Sequence, residues 1–462
     1  MATHWEHLLA ESESAAMDDY FELLRIPSVS TDPARSGDVR RAAEWIVARL
    51  EQAGVPDVRT VEGGGHPAVI GLWVTDPTLP TVLIYGHYDV QPEDPVDLWE
   101  SPPFEPQVRD RLVYARGAAD MKGSLLTAIH GVEASARAHG GSPPVNVKFI
   151  FEGEEEIGSP SFRGIVREHR ELLGADGVLS ADGGQFSDDQ PSQTIGRKGL
   201  TGLEIVVRGA NTDLHSGGFG AIAPNAARSA AELAASFHDA DGRVAVEGFY
   251  DGVIELTDDE QAEAAAVPWD EEKTLSDLGL DELWGEPGYT PQERIWARPT
   301  LDINGIWGGF QGEGSKTVTP SEAHIKVTCR LVPGQDPATI NRLIGAHVER
   351  FRPRGTTVTI SGEKDGAKPY LVDRTDPIYL AVDESLTKLY GKAPIPMRAG
   401  GTIPATAVFL DELGVHTIGY AWSGASSRAH APNERYSVAN FLRGRRGYAL
   451  LLDVIAERSQ RS

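Results

Sequence analysis

The sequence predicts an α/β protein of two domains: a mostly parallel-sheet domain interrupted by a smaller inserted α/β domain. Three observations carry this. The chain has 462 residues, more than one ordinary hydrophobic core organises. Its first part alternates helical periodicity with short apolar runs, the pattern of strands joined by crossover helices. The texture then changes near residue 197 and returns to the first pattern after about 370, so the expected boundaries are 1–197 and 371–462 for the divided domain and 198–370 for the insert.

The elements follow in order. "DVRRAAEWIVARLEQAG" (38–54) is a helix with Trp45, Ile46 and Leu50 on one face and Gly54 as its stop. Strands are expected at "AVIGLWV" (68–74), "TVLIYG" (81–86), "NVKFIFE" (146–152) and "GVLSAD" (177–182), with a helix over 120–138 between the second and third. The insert opens with the strand "GLTGLEIVVRGAN" (199–211) and the Ala-rich helix "APNAARSAAELAASF" (223–237). An acidic stretch, 256–285, reads as a solvated helical face, and strands follow at 323–333 and 356–362. A helix at 376–391, the strand "HTIGYAW" and a last helix from about 437 complete the chain. "EGGGH" (62–66) has no helix or lysine after it and makes a poor phosphate loop.

Composition narrows the function. With 68 acidic and 43 basic residues, the formal net charge of −25 repels nucleic acid and anionic membranes, so neither is an expected partner. Cys329 is the one cysteine, so an intrachain disulfide is impossible and a reducing cytoplasm fits. The N-terminal stretch is acidic and amphipathic, and no segment reaches the length of a membrane span.

Side chains able to bind metal fall at strand ends and helix starts. "IYGHYD" puts His87 and Asp89 after one strand, "ARGAAD" puts Asp120 at the opening of a helix, "FEGEEE" follows a third strand, and Asp182 ends "VLSAD". Ligands of open α/β sheets bind beyond the carboxyl ends of the strands, so these distant positions can converge. Singly, HxD also reads as a turn histidine, Asp120 as a helix cap and the glutamate run as surface. Together, imidazole and carboxylates without thiolate suit Zn²⁺ and also accept Mn²⁺ or Co²⁺. So many clustered carboxylates require cations, and two divalent ions would supply the charge.

Nine motifs in order then resemble peptidase family M20, and within it the carnosinase-like cytosolic dipeptidases. They are "GHYDVQP" (86–92), "ARGAADMKG" (115–123), "FEGEEEIGSPS" (151–161), "SADGG" (180–184), "DLHSGGFG" (213–220), "KTVTP" (316–320), "CRLVPGQ" (329–335), "AGGTIP" (399–404) and "RAHAPNE" (428–434). The resemblance implies a di-metal hydrolase domain whose insert acts as lid and homodimerisation domain. It implies that His87 and Asp182 bind one metal, Glu156 and His430 the other, and that Asp120 bridges them. Asp89 would orient His87, and Glu155 would be the general base on the metal-bridging water. His215 would steady the oxyanion, in dimeric relatives from the neighbouring subunit. Arg330 would clamp the substrate carboxylate, with Thr317, Gly401 and Thr402 around its C-terminal end.

The function so implied is hydrolysis of dipeptides or very short peptides. An N-acyl-amino-acid deacylase or carboxypeptidase of the same family shares the ligands. A metal-binding scaffold without catalysis is the reading from another class, and the presence of all five ligands and the base argues against it. Glu152 and Glu154 receive no role, and Glu154 is expected to face solvent. Cys329 is read as a packed core residue, and "RGRRG" (443–447) as pairing with nearby carboxylates.

Overall fold

The computed structural model describes residues 4–362, 366–401, 403–424 and 426–461. These divide into two compact units: the first comprises Met1–Ile195, Val372–Pro396 and Ile403–Ser462, the second Gly196–Leu371 with Met397–Thr402. After two short N-terminal helices (His4–Glu11 and Glu13–Leu24), the elements that matter here run in chain order as α1 (Ser36–Ala53), β1 (Asp57–Val61), β2 (Ala68–Trp73), β3 (Thr81–His87), α2 (Gly123–Ala138), β4 (Asn146–Glu152), β5 (Gly177–Ser180), β6 (Gly199–Arg208), α3 (Ala226–Ala235), β7 (Thr300–Gly308), β8 (Glu322–Leu331), α4 (Pro337–Arg350), β9 (Thr357–Gly362), α5 (Pro377–Tyr390), β10 (Thr417–Gly419) and α6 (Val438–Ser459).

In the first unit six strands form one sheet in the order β1-β2-β4-β3-β5-β10. The sheet departs from a purely parallel arrangement at one strand. β3 runs parallel to β4 and β5, and β10 parallel to β5, but β2 is antiparallel to both β1 and β4, so the sheet is mixed. The reason is local: β1 and β2 are joined by the short "EGGGH" turn, too short for a crossover helix, which forces an antiparallel pair. The central strands are buried along nearly their whole length, as strands covered on both faces must be. α1 ends on Gly54 at φ 96, the left-handed cap that the sequence marks. Ile46 and Leu50 are buried as expected, whereas Trp45 is only half-buried and donates to Glu22. α2 starts at Gly123, three residues later than expected, because Ala118–Lys122 form a separate wide turn in which Asp120 and Met121 leave helical geometry.

In the second unit β7, β8, β6 and β9 form a fully antiparallel sheet in that order. Alternate residues Leu203, Ile205 and Val207 of β6 and Ile325, Val327 and Cys329 of β8 enter one core with Leu233 of α3 and Ile344 of α4. Period-two burial of this kind fits a sheet with helices on one face. Cys329 is buried there, and burial pushes its thiol well up, so it packs and does not react. The acidic stretch forms two short exposed helices, Asp258–Ala266 and Glu271–Leu278. Met397–Thr402 groups with this unit, where the buried Arg398 pairs with Glu260. Among the described residues no helix is long and apolar enough to cross a membrane.

Candidate metal centre

Parallel strands end together, and here that places chemistry at one edge of the sheet. His87 closes β3 opposite Glu152, the last residue of β4, and Asp182 lies two residues beyond β5. Asp120 comes from the wide turn before α2, and His430 from a loop in which Arg428, His430 and Asn433 all have positive φ. Two groups result. Ligand atoms of His87, Asp120 and Asp182 lie within 4.8 Å of one another, as do those of Asp120, Glu156 and His430. Asp120 is common to both: Oδ1 lies 3.2 Å from His87 Nε2, and Oδ2 lies 3.0 Å from His430 Nε2. His430 Nε2 is also 3.2 Å from Glu156 Oε2.

Asp89 is wholly buried behind His87. His87 Nδ1 lies 3.1 Å from the Asp89 carbonyl and 3.4 Å from Asp89 Oδ1, which leaves Nε2 facing Asp120. The same carboxylate accepts from the amides of Glu155 and Glu156 and, at 2.7 Å, from Ser30 Oγ. Asp89 therefore sets the imidazole and the glutamate run together.

The four glutamates of the run divide in two pairs. Glu155 and Glu156 form the short turn Glu155–Ile157, and Gln91 Nε2 donates to Glu156 Oε2 at 2.8 Å. Glu152 is buried, accepts from Tyr85 OH at 2.8 Å and Ser159 Oγ at 2.9 Å, and is pushed up to about 8, burial being the main cause. Glu154 corrects the expectation that it faces solvent. It is buried at 4% exposure, and its carboxylate accepts from the amides of His66 at 2.8 Å and Ser161 at 2.9 Å. The "EGGGH" turn thus needs a buried acceptor, and Glu154 is that acceptor.

The donor set fits divalent cations. Burial raises the Glu155 carboxyl to about 9, the neighbouring His87 opposing it and Asp182, Glu156 and Asp120 adding to it. Burial opposes charge on His87, yet hydrogen bonds to Asp120 and Asp89 lift its pKa well above the ordinary value, and those to Asp120 and Glu156 lift His430 to about 10. Protons on the imidazoles and on Glu155 thus offset the clustered carboxylates. Two divalent ions held by these residues would do the same while leaving imidazole neutral and Glu155 free to ionise. Glu156 Oε1 is buried without a hydrogen-bond partner, the state of an oxygen that awaits a ligand. A cavity of about 330 Å³ borders Asp120 and Asp182, lined otherwise by small residues such as Gly183, Gly184, Ser423 and Ser427.

The remaining expected contacts lie in the second unit. His215 is exposed, pairs with Val318 and accepts from the Gly217 amide through Nδ1 at 3.0 Å. Thr317 is exposed, and its carbonyl accepts from the Ser216 amide. Arg330 is on β8 opposite Thr300 and Leu200, Gly401 is exposed, and Thr402 lies outside the described residues. Sequence reasoning passed over Gln91 and Glu434, although "GHYDVQP" and "RAHAPNE" contain them. A polar residue inside a motif already assigned a ligand was the available signal.

Residues 83–454 match the model of peptidase family M20/M25/M40. The chain is 31% identical over 434 residues to the Cys-Gly metallodipeptidase of Schizosaccharomyces pombe, covering 91% of each protein. It is 30% identical over 450 residues to the human Beta-Ala-His dipeptidase, covering 96% of this chain and 87% of that one. Among solved structures, an M20 family metallo-carboxypeptidase from Sulfolobus solfataricus superposes with a TM-score of 0.85 at 30% identity, over 96% of this chain and 99% of that one. Human carnosine dipeptidase 1 does so with 0.81 at 28% identity, over 98% of each. A match over most of the chain, relatives of this identity along nearly its full length and two triads sharing a carboxylate agree: this protein belongs to peptidase family M20/M25/M40.

Proposed function

We propose that this metallopeptidase cleaves the peptide bond of dipeptides or very short peptides at a dinuclear centre. His87, Asp120 and Asp182 would hold one ion and Asp120, Glu156 and His430 the other, Zn²⁺ first, with Mn²⁺ and Co²⁺ also suited to these ligands. The observation that supports this most is the pair of triads sharing Asp120. When bound, the two ions acidify water and polarise the scissile carbonyl. Glu155 takes the proton of the attacking water at its carboxylate as the oxygen adds to the carbonyl carbon. It returns that proton to the nitrogen as the C–N bond breaks. Asp89 keeps His87 in one orientation throughout. His215 is proposed as the donor to the developing oxyanion, and Arg330, with Thr317, Gly401 and Thr402, as the holder of the substrate carboxylate.

Relatives named for Cys-Gly and Beta-Ala-His cleavage support a dipeptide substrate. A carboxypeptidase reading is favoured by one observation, the 0.85 superposition on a metallo-carboxypeptidase. Metal-reconstituted protein assayed on free dipeptides, longer peptides and N-acetyl amino acids separates the two. Free dipeptides should give the highest kcat/KM, and preferential trimming of long peptides would replace this reading with the carboxypeptidase one. Cytoplasmic residence, supported by the single cysteine, and a homodimer through the second unit complete the proposal.

A further inference from the structure

One carboxylate beside the centre is neither proposed ligand nor proposed base, yet four donors engage it. Glu434 is 0% exposed and ends the loop that carries His430. Its Oε2 accepts from Arg116 Nη1 at 2.8 Å and the Gly117 amide at 3.0 Å. Its Oε1 accepts from the amides of Ala119 at 2.8 Å and Asp120 at 3.0 Å. Four donors occupy its two oxygens, and three of them are backbone amides: Gly117, which precedes the wide turn that presents Asp120, and Ala119 and Asp120 within it. Arg116 is itself buried and donates its other arm to the Pro92 carbonyl at 3.0 Å. The carboxylate thus fastens the turn of the shared ligand to the loop of the terminal ligand.

We propose that Glu434 is a positioning residue that fixes the Asp120 peptide against the His430 loop, so that one buried side chain sets the spacing of both triads. This rests on the reading of Asp120 and His430 as metal ligands. Substitution by glutamine is informative because an amide keeps a single acceptor oxygen. Its NH₂ must then face donors, either the Ala119 and Asp120 amides or the Arg116 and Gly117 pair. Either way one side of the fastening is lost, at the Asp120 amide itself or at the Gly117 amide just before it, which loosens the hold on Asp120 relative to His430.

A purely structural role makes a different prediction, and the neighbouring Asn433 supplies the control. Asn433 anchors the same loop elsewhere: Oδ1 accepts from the Glu100 amide at 2.9 Å and Nδ2 donates to the Leu98 carbonyl at 2.9 Å. Its φ of 60 suits glycine, so Asn433→Gly removes both bonds without backbone strain. The full-length apo-protein and its variants are titrated with Co²⁺, reading the visible d–d spectrum, with thermal melts of the same samples. Glu434→Gln should bind Co²⁺ at least about tenfold more weakly and with a changed spectrum, the usual scale for a partner behind a ligand. Asn433→Gly should melt earlier yet titrate like the wild type. If Glu434→Gln melts earlier but its titration and spectrum superpose on the wild type, or if Asn433→Gly weakens Co²⁺ equally, the proposal is overturned. Should Glu434→Gln fail to fold, Glu434→Asp, which keeps the charge but withdraws it by one methylene, carries the same expectation. A wild type that takes up no Co²⁺ would overturn the metal-centre reading itself, and the positioning role with it.

Discussion

At the scale of residues, adjacent glutamates do unlike work because the backbone at the end of β4 turns each one differently. Glu155 and Glu156 point to the centre, while Glu152 and Glu154 are buried acceptors for Tyr85, Ser159, His66 and Ser161. If Glu155 is the base, Glu155→Gln keeps the metal content and lowers kcat by about 10²–10⁴, the range for loss of general acid–base catalysis. Elemental analysis alongside turnover checks this, and near wild-type kcat would remove Glu155 from the role. Of the proposed ligands, His87, Glu156 and Asp182 stood out in the sequence because each follows a recognisable strand, whereas His430, in a loop, was marked only by the resemblance of "RAHAPNE" to the family motif. Glu154 was not legible: its two partners lie in a turn before β2 and just beyond the run, and nothing in a string of acids distinguishes a solvated one from one caught by distant amides.

At the scale of elements, β3, β4, β5 and α2 were readable from apolar runs and period, and their ends fell within a few residues of expectation. β1 was not, since only Val61 of its five residues is buried and an edge strand of that kind lacks the apolar signal. The wide turn of Ala118–Lys122 was hidden for another reason: its shape is set by Glu434, more than 300 positions away in the chain, and not by its own propensity. The packing of α2 makes a separate prediction. His130 is buried on that helix, donating from Nε2 to Asp19 Oδ2 at 2.9 Å, with Arg49 bonded to the same carboxylate. Burial lowers its pKa to about 4, the Asp19 hydrogen bond opposing and the Arg49 and Arg445 charges reinforcing it. Below an unfolded value near 6.5 the unfolded chain takes up a proton that the native imidazole refuses, so stability falls as pH drops from about 6.5 to about 4. Urea unfolding of wild type and His130→Gln should therefore diverge across that window, the wild type losing more, by an amount on the order of 3 kcal/mol. Parallel pH profiles would show that His130 does not supply this acid sensitivity.

At the scale of the whole molecule, all five proposed ligands and the proposed base belong to the first unit, while the second is held by its own antiparallel sheet and core. Metal binding to the native state alone adds RT ln(1 + [M]/Kd) to stability, about 2.7 kcal/mol at a hundredfold excess over Kd. That stabilisation belongs to the unit containing the ligands. Chelation should accordingly lower the melting temperature and speed amide exchange in segments 87–91, 117–123, 152–159 and 427–434, whose backbone is organised around the centre. Exchange within β6 and β8 should be unchanged, because their core contains none of the ligands. The comparison is internal to one sample, so the overall net charge of −25 and the salt used affect both units alike. Uniform loss of protection across both units would mean that bound metal supports the entire chain as one cooperative body, and confinement to the first would mean that the second folds on its own core.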